Sequence, residues 1–171
     1  MPLVEFDRLP DDARVWVFGS DQPLDERQRT RLLGAVDAYL AQWKAHGSPL
    51  TCARSWRDDR FLTVGVDQRS EGASGCSIDA LFRVLQGLEQ ELGASLVGGG
   101  RVFWRDRDGA VQTADRGDFM ELAERGEIGR DTIVFDLTVT SLRDWRERFE
   151  RRAADSWHGQ LLPAVGVGRR A

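Results

Sequence analysis

Residues 50–67 read LTCARSWRDDRFLTVGVD, two strand-like runs on either side of Asp58 and Asp59. Each run is short and carries β-branched or aromatic residues, and paired aspartates are typical of a tight turn. The segment therefore predicts a β-hairpin with strands at residues 50–57 and 60–67. The other elements can be assigned outward from this hairpin.

Amphipathic helices are predicted on both sides of the hairpin. Before it, apolar residues follow one helix face up to a stop at Gly47: Leu32, Leu33, Val36, Tyr39, Leu40 and Trp43. After it, a second stripe leads to Gly93, which suits a C-terminal cap: Ile78, Leu81, Phe82, Leu85, Leu88 and Leu92. Short apolar runs at residues 14–19 and 101–105 predict one strand before the first helix and another after the second.

This order of strand, helix, strand, strand, helix, strand is that of the ferredoxin-like βαββαβ arrangement, an antiparallel sheet with helices on one face. A strand at residues 110–114, a helix at 118–124, a strand at 132–139 and a helix from Leu142 are expected to extend the core towards the C-terminus. Alternating basic and acidic residues between Arg143 and Arg152 predict a solvated helix with ion pairs. Because no linker or repeat interrupts the chain, residues 1–171 are expected to form a single α+β domain.

Composition limits the partners and the compartment. The chain has 28 acidic and 24 basic residues for a net charge of −4, and each half has more acidic than basic residues. That balance disfavours a nucleic-acid partner. No apolar run has the length of a membrane span, and acidic residues near the N-terminus do not suit a signal peptide. Two cysteines make no disulfide framework, so a cytoplasmic location is expected.

Several familiar catalytic and cofactor motifs are absent from the sequence. The only lysine, Lys44, does not close a glycine-rich turn, and the GxSxG, CxxC and HExxH patterns do not occur. The sequence therefore predicts no cofactor. A zinc site is not expected either, because the four cysteine and histidine positions lack the close spacing of zinc ligands: His46, Cys52, Cys76 and His158.

The strongest candidate site is GASGCSID at residues 72–79, between a predicted strand and a predicted helix. Glycines there bring backbone amides together at a helix N-terminus, where the helix dipole attracts anions and lowers the pKa of a thiol. The predicted anion-binding residues are Gly72, Ser74, Gly75 and Ser77. The alternative is structural: a serine caps the helix, and Cys76 packs as a small side chain.

The second candidate is DSWH at residues 155–158. A nucleophilic cysteine normally works with an imidazole that a carboxylate orients. The thiol-enzyme hypothesis therefore makes Cys76 the nucleophile, His158 the base and Asp155 or Asp79 the orienting carboxylate. A packed or capping histidine is the structural alternative for His158. His46, at the end of a predicted helix, is assigned a structural role near the helix dipole.

The sequence resembles a family of small bacterial proteins often labelled "ABC transporter ATPase". The shared segments are RVWVF at 14–18, AHG at 45–47, RF at 60–61, VD at 66–67, GASGCSID at 72–79, DTIVF at 131–135 and DSWH at 155–158. The resemblance implies a shared fold and shared motifs, and it carries no activity over to this chain. The chain contains neither a P-loop nor an ABC signature, so its residues do not support the label.

Three functions remain open on the sequence. The leading hypothesis is a module that binds a small anionic ligand at the loop of residues 72–78. A thiol-dependent hydrolase or transferase using Cys76 and His158 is the second. The third is an interaction protein, such as a homodimer formed through an exposed sheet face. The sequence alone does not decide whether the protein is an enzyme.

Overall fold

The computed structural model describes residues 3–69 and 75–165. It confirms a mixed α+β protein with antiparallel sheets. The strands are β1 (Arg14–Gly19), β2 (Lys44–Ala45), β3 (Ser48–Pro49), β4 (Cys52–Arg57), β5 (Phe61–Val66), β6 (Arg101–Arg105), β7 (Val111–Asp115), β8 (Ile133–Phe135) and β9 (Glu150–Arg152). The helices are α1 (Glu26–Ala41), α2 (Gly75–Leu92), α3 (Arg116–Glu124) and α4 (Leu142–Arg148), together with short 3₁₀ helices at Phe6–Arg8, Ala153–Asp155 and Trp157–Leu161. Within the described part of the chain, no helix is long and apolar enough to cross a membrane.

The chain divides into two compact units. The first contains Met1–Gly98 and Leu137–Glu147, and the second contains Gly99–Asp136 and Arg148–Ala171. Compactness does not decide whether the two units unfold together, so the single domain over residues 1–171 stays a prediction.

The predicted hairpin forms the centre of the first unit. β4 pairs antiparallel with β5, which also pairs with β1, so the sheet has the order β1-β5-β4. Asp58 and Asp59 make the turn with φ angles of 55° and 54°. Two successive residues in the left-handed region are typical of a type I′ turn, whose twist matches the twist of the two strands.

Helices cover one face of this sheet, as their apolar stripes predict. Leu32, Val36 and Leu40 of α1 are buried, and so are Leu81 and Leu85 of α2, all in one core cluster. A reciprocal capping box at Asp25 begins α1, and Gly93, with a φ angle of 65°, follows the last residue of α2. The helix–sheet layer therefore follows directly from the sequence pattern.

A further layer on the opposite face of the sheet was not predicted. Leu9 and Leu142 pack there against Val15 and Ala53, so every residue of β5 is buried. Trp145 of α4 donates a hydrogen bond from Nε1 to Oγ1 of Thr63 on β5, at 3.0 Å. A strand covered on both faces reads as a continuous apolar run, and this explains FLTVGV in β5.

The second unit is built on a four-stranded antiparallel sheet of order β7-β6-β8-β9. α3 begins immediately after β7, and Phe119 on this helix packs on Trp104 of β6. The 3₁₀ segment Trp157–Leu161 packs beside α3 and belongs to the same apolar cluster through Trp157 and Leu161. This cluster forms the core of the second unit.

The ferredoxin-like arrangement is not confirmed, because the strands form several sheets instead of one four-stranded sheet. β6, the last strand of the predicted βαββαβ order, pairs with β7 and β8 and not with the sheet of the first unit. The predicted solvated helix up to Arg152 is also wrong. α4 ends at Arg148, and Glu150–Arg152 forms β9, paired with β8. Backbone pairing with a strand distant in sequence overrides the local charge pattern.

The β4–β5 turn gives a first testable prediction. Asp59→Gly is expected to raise the free energy of unfolding by about 1 kcal/mol, because glycine adopts positive φ without the penalty that a Cβ brings. The substitution also removes the ion pair of Asp59 with Arg29, which contributes little to stability because both side chains are exposed and their charged atoms lie 3.9 Å apart. Urea denaturation of the variant measures the change. Asp59→Ala keeps the Cβ and serves as the control. Equal stability of the two variants would show that the positive φ of residue 59 does not strain the backbone.

Candidate functional site

The anion site predicted at residues 72–78 lies at the start of α2. Gly72 and Ser74 lie outside the described residues, as does the thiol of Cys76. Gly75 is the first residue of α2, and Cys76 is the second. Asp79 is exposed, whereas Ser77 is only 9% exposed. α2 therefore starts inside GASGCSID, at the fourth residue of the motif, and the ligand-binding roles remain predictions.

Two side chains, one on α1 and one just after that helix, hold the first turn of α2 in place. The carbonyl oxygen of Ser77 accepts a hydrogen bond from the Tyr39 hydroxyl at 2.8 Å and another from Nε1 of Trp43 at 3.2 Å. Burial raises the pKa of Tyr39, so its hydroxyl stays protonated and keeps donating. These long-range bonds fix the first turn of α2 against α1 before any ligand arrives.

The sequence pattern did not reveal this role of Tyr39 and Trp43. Both residues belong to the apolar stripe of the predicted first helix, and both pack against the core. The hydroxyl of Tyr39 and the N–H of Trp43 were the features of the sequence that indicate a hydrogen-bonding role, because a buried tyrosine hydroxyl or tryptophan N–H usually has a partner. The identity of that partner, 38 positions away from Tyr39, is a property of the tertiary structure.

The N-terminus of α2 differs electrostatically from those of α1 and α3. Side-chain carboxylates cap the other two: Asp25 accepts from the Gln28 amide, and Asp115 accepts from the Asp118 amide. α2 has 18 residues, and its first turn contains no acidic residue. Its N-terminal dipole is therefore not compensated by a carboxylate of its own first turn.

An ion pair follows β5 directly in the chain. Arg69 donates from Nε and Nη2 to the carboxylate of Asp67, at distances between 2.7 and 3.1 Å. These hydrogen bonds from Arg69 lower the pKa of Asp67. The Arg69 side chain is 67% exposed, so its guanidinium stays accessible to solvent while it pairs with Asp67.

His158 lies in the second unit and is completely buried. It belongs to the 3₁₀ segment Trp157–Leu161, and its ring stacks on Trp157 at a centroid distance of 3.9 Å. Nδ1 is 2.8 Å from Oγ of Ser156, while Nε2 is buried and has no hydrogen-bond partner among the described residues. These contacts favour the packed-histidine interpretation.

Burial is the main reason why the pKa of His158 falls to about 4. The positive charges of Arg116 and Arg151 lower it further, and the carboxylate of Asp136 acts in the opposite direction. Asp136 also accepts a hydrogen bond from Nε1 of Trp157 at 3.1 Å. The imidazole is consequently neutral at pH 7.

Asp155, the predicted orienting carboxylate, turns towards Arg152, whose Nε donates to Oδ2 at 2.9 Å. Ser156 instead supplies the hydroxyl beside Nδ1 of His158. Cys76 belongs to the first unit and His158 to the second. Their use as a catalytic pair stays a prediction.

The remaining cysteine and histidine have structural positions. Cys52 is buried in β4, and burial raises the pKa of its thiol to about 11, so the thiol is not ionised at neutral pH. His46 lies in the turn between β2 and β3 with a φ angle of 51°, and not at a helix end as the sequence suggested. Among the residues that the structure describes, no group of three or more His, Cys, Asp or Glu could hold a metal ion.

Among the residues that the structure describes, open clefts also lie away from these motifs, including one in each unit. In the first unit, the cleft between the start of α1 and the end of α2 contains the ion pair of Arg31 with Glu91, at 2.8 Å. In the second, a cleft borders the β6–β7 turn, where the carboxylate of Asp106 accepts from the amides of Asp108 and Ala110. These charged groups already pair with other groups of the protein. The segment at the start of α2 therefore remains the candidate site.

Comparison of the chain with protein families, curated proteins and solved structures finds no match.

Proposed function

We propose that the protein binds a small anionic ligand, such as a phosphate or carboxylate compound, at the N-terminus of α2. The observation that carries the proposal is the pair of hydrogen bonds from Tyr39 and Trp43 to the Ser77 carbonyl. Because these bonds hold the first turn in place, its backbone amides need little reorganisation to meet an anion. Preorganised donors bind more tightly than donors that must first be ordered.

The electrostatics of the helix support the same proposal. A helix of 18 residues has a fully developed dipole. The first turns of α1 and α3 contain the carboxylates of Glu26 and Asp118, whereas the first turn of α2 contains no such carboxylate. An external anion would take the place of that carboxylate. GASGCSID contains two glycines, and a residue without a Cβ suits the close approach of a ligand to the backbone.

Composition and cysteine content support a cytoplasmic setting for this binding. The net charge of −4 suits a small ligand better than a nucleic-acid backbone, and this distinction is part of the proposal. The proposal requires no chemistry at Cys76.

Inorganic phosphate is the probe that tests the site. Gly75→Asp places a carboxylate on the first residue of α2 and is expected to weaken phosphate binding about 10-fold or more. Two like charges about 4 Å apart near a protein surface repel by 1–4 kcal/mol, and each 1.4 kcal/mol is a factor of ten. Amide chemical shifts of residues 75–78, followed during a phosphate titration, report the binding.

Gly87→Asp is the matched control, because it makes the same substitution on an exposed position of the same helix. The two positions are about 18 Å apart along the helix, beyond the screening length of about 8 Å at physiological salt. The control is expected to bind phosphate like the unmodified protein. Equal affinities of the two variants, or no shifts at residues 75–78, would overturn the proposal.

A further inference from the structure

The C-terminal part of the second unit forms a lid over that unit's core. Two short 3₁₀ helices, Ala153–Asp155 and Trp157–Leu161, lie against α3 and the sheet. The side chains that this lid contributes to the cluster are Ala153, Trp157, Leu161 and Leu162. They cover residues from β6, β8 and α3, namely Val102, Trp104, Phe119 and Val134.

His158 is the fully buried polar residue of this lid. Its ring lies between Trp157, stacked at 3.9 Å, and Phe119 of α3, whose ring centroid is 6.2 Å away. A neutral imidazole needs only one donor to be satisfied, whereas an imidazolium has two N–H donors. Ser156 can accept at Nδ1, but no described residue accepts at Nε2. Protonation would therefore leave a charged donor buried without a partner.

The charges facing His158 also disfavour an imidazolium. Arg116 contributes a positive charge from α3, where its guanidinium lies over the Trp157 ring at 5.1 Å. Arg151 contributes a second from β9, and its Nε is buried with no hydrogen-bond partner within the described chain. Asp136, after β8, is the opposing carboxylate and already accepts from Trp157. On the lid itself, Asp155 is paired with Arg152.

We propose that His158 is an acid-sensitive latch whose protonation releases the lid, residues 153–162, from α3 and the sheet of the second unit. Release lets the imidazolium reach water and moves it away from Arg116 and Arg151. It also exposes the apolar surface formed by Trp157, Leu161 and the covered side of Phe119. The latch is independent of the anion site at α2, because its residues all belong to the second unit.

The direction of the pH effect follows from the two states of the imidazole. The pKa of His158 is about 4 in the closed state against 6.5 for a solvated histidine. The closed state therefore binds fewer protons, and its stability falls as the pH drops from 6.5 towards 4. For an opening that fully solvates the ring, the opening equilibrium constant rises about 100-fold between pH 7 and pH 4.

Hydrogen exchange on the full chain tests the latch. Protection factors, which are corrected for the intrinsic pH dependence of exchange, are measured for the amides of residues 153–162 at pH 7, 5.5 and 4. In the unmodified protein they are expected to fall about 100-fold more than in His158→Gln, which cannot titrate. His46→Gln, at the other histidine of the chain, is the matched control and should behave like the unmodified protein.

A second measurement keeps the latch testable if His158→Gln does not fold. With two histidines in the chain, His46→Gln assigns the imidazole NMR signals, and the His158 signal is followed from pH 7.5 to pH 3.5. The latch requires this imidazole to stay neutral well below pH 6.5 and to protonate together with loss of lid protection. Titration near 6.5 with the lid still protected would overturn it. Equal losses of protection in the unmodified protein and His158→Gln would do the same.

Discussion

Phe119→Ala is expected to lower the free energy of unfolding by about 3–5 kcal/mol, the usual cost of truncating a fully buried phenylalanine. Phe119 has no exposed surface and lies in the core of the second unit. Its ring forms a T-shaped pair with the Trp104 ring at a centroid distance of 5.4 Å, and its centroid is 6.2 Å from that of the His158 ring. Removing it leaves a cavity between α3, the sheet and the lid, which these elements can close only in part.

Urea denaturation followed by circular dichroism measures this loss. Met120→Ala is the control, because Met120 is the next residue on α3 and is 42% exposed. It is expected to change stability by less than about 0.5 kcal/mol. A similar small change for Phe119→Ala would show that α3 does not pack as described.

The same variant tests the single-domain prediction. If residues 1–171 unfold as one cooperative unit, Phe119→Ala in the second unit and Leu85→Ala in the first should each move the whole transition. Two separate transitions, each sensitive to only one of the substitutions, would contradict the prediction.

Gly65→Ala is the second substitution with a large expected effect, a destabilisation of about 1–3 kcal/mol from overpacking. Gly65 lies in β5, the central strand of the first unit, where the sheet meets the layer formed by Leu9 and Phe6. A Cβ at this position would be 2.6 Å from Cδ1 of Leu9, far inside van der Waals contact. Because Leu9 is itself 3% exposed, it has little room to move away.

A double-mutant cycle separates this clash from other effects of the substitution. Leu9→Ala removes the clashing atom, so Gly65→Ala should cost less in the Leu9→Ala background than in the unmodified protein. Gly34→Ala is the matched control, since Gly34 is exposed on α1 with nothing within 4 Å of the added Cβ. It should stabilise the protein by about 0.5–1 kcal/mol. Additive costs in the cycle would contradict the close packing of Gly65 on Leu9.

The helix at the candidate site was predictable because its determinants are local. The start of α2 follows from a stripe of apolar residues beginning at Ile78, next to a run of glycines and serines. The anchoring of Ser77 by Tyr39 and Trp43 was not predictable, since the pattern shows only that these side chains face the core. The surroundings of His158 were not predictable either. No local pattern shows which side chains surround a residue in a 3₁₀ segment.

The sequence by itself determined the elements whose signals are short in range. Two short runs with β-branched or aromatic residues, and the Asp58–Asp59 turn between them, define the β4–β5 hairpin, and helical periodicity defines α1 and α2. Only the tertiary structure decided which strands share a sheet. β6 pairs with β7 and β8, and Glu150–Arg152 becomes a strand despite its helix-like charge pattern. The physical reason is that backbone hydrogen bonding and burial depend on partners distant along the chain, whereas periodicity records only which face of an element is apolar.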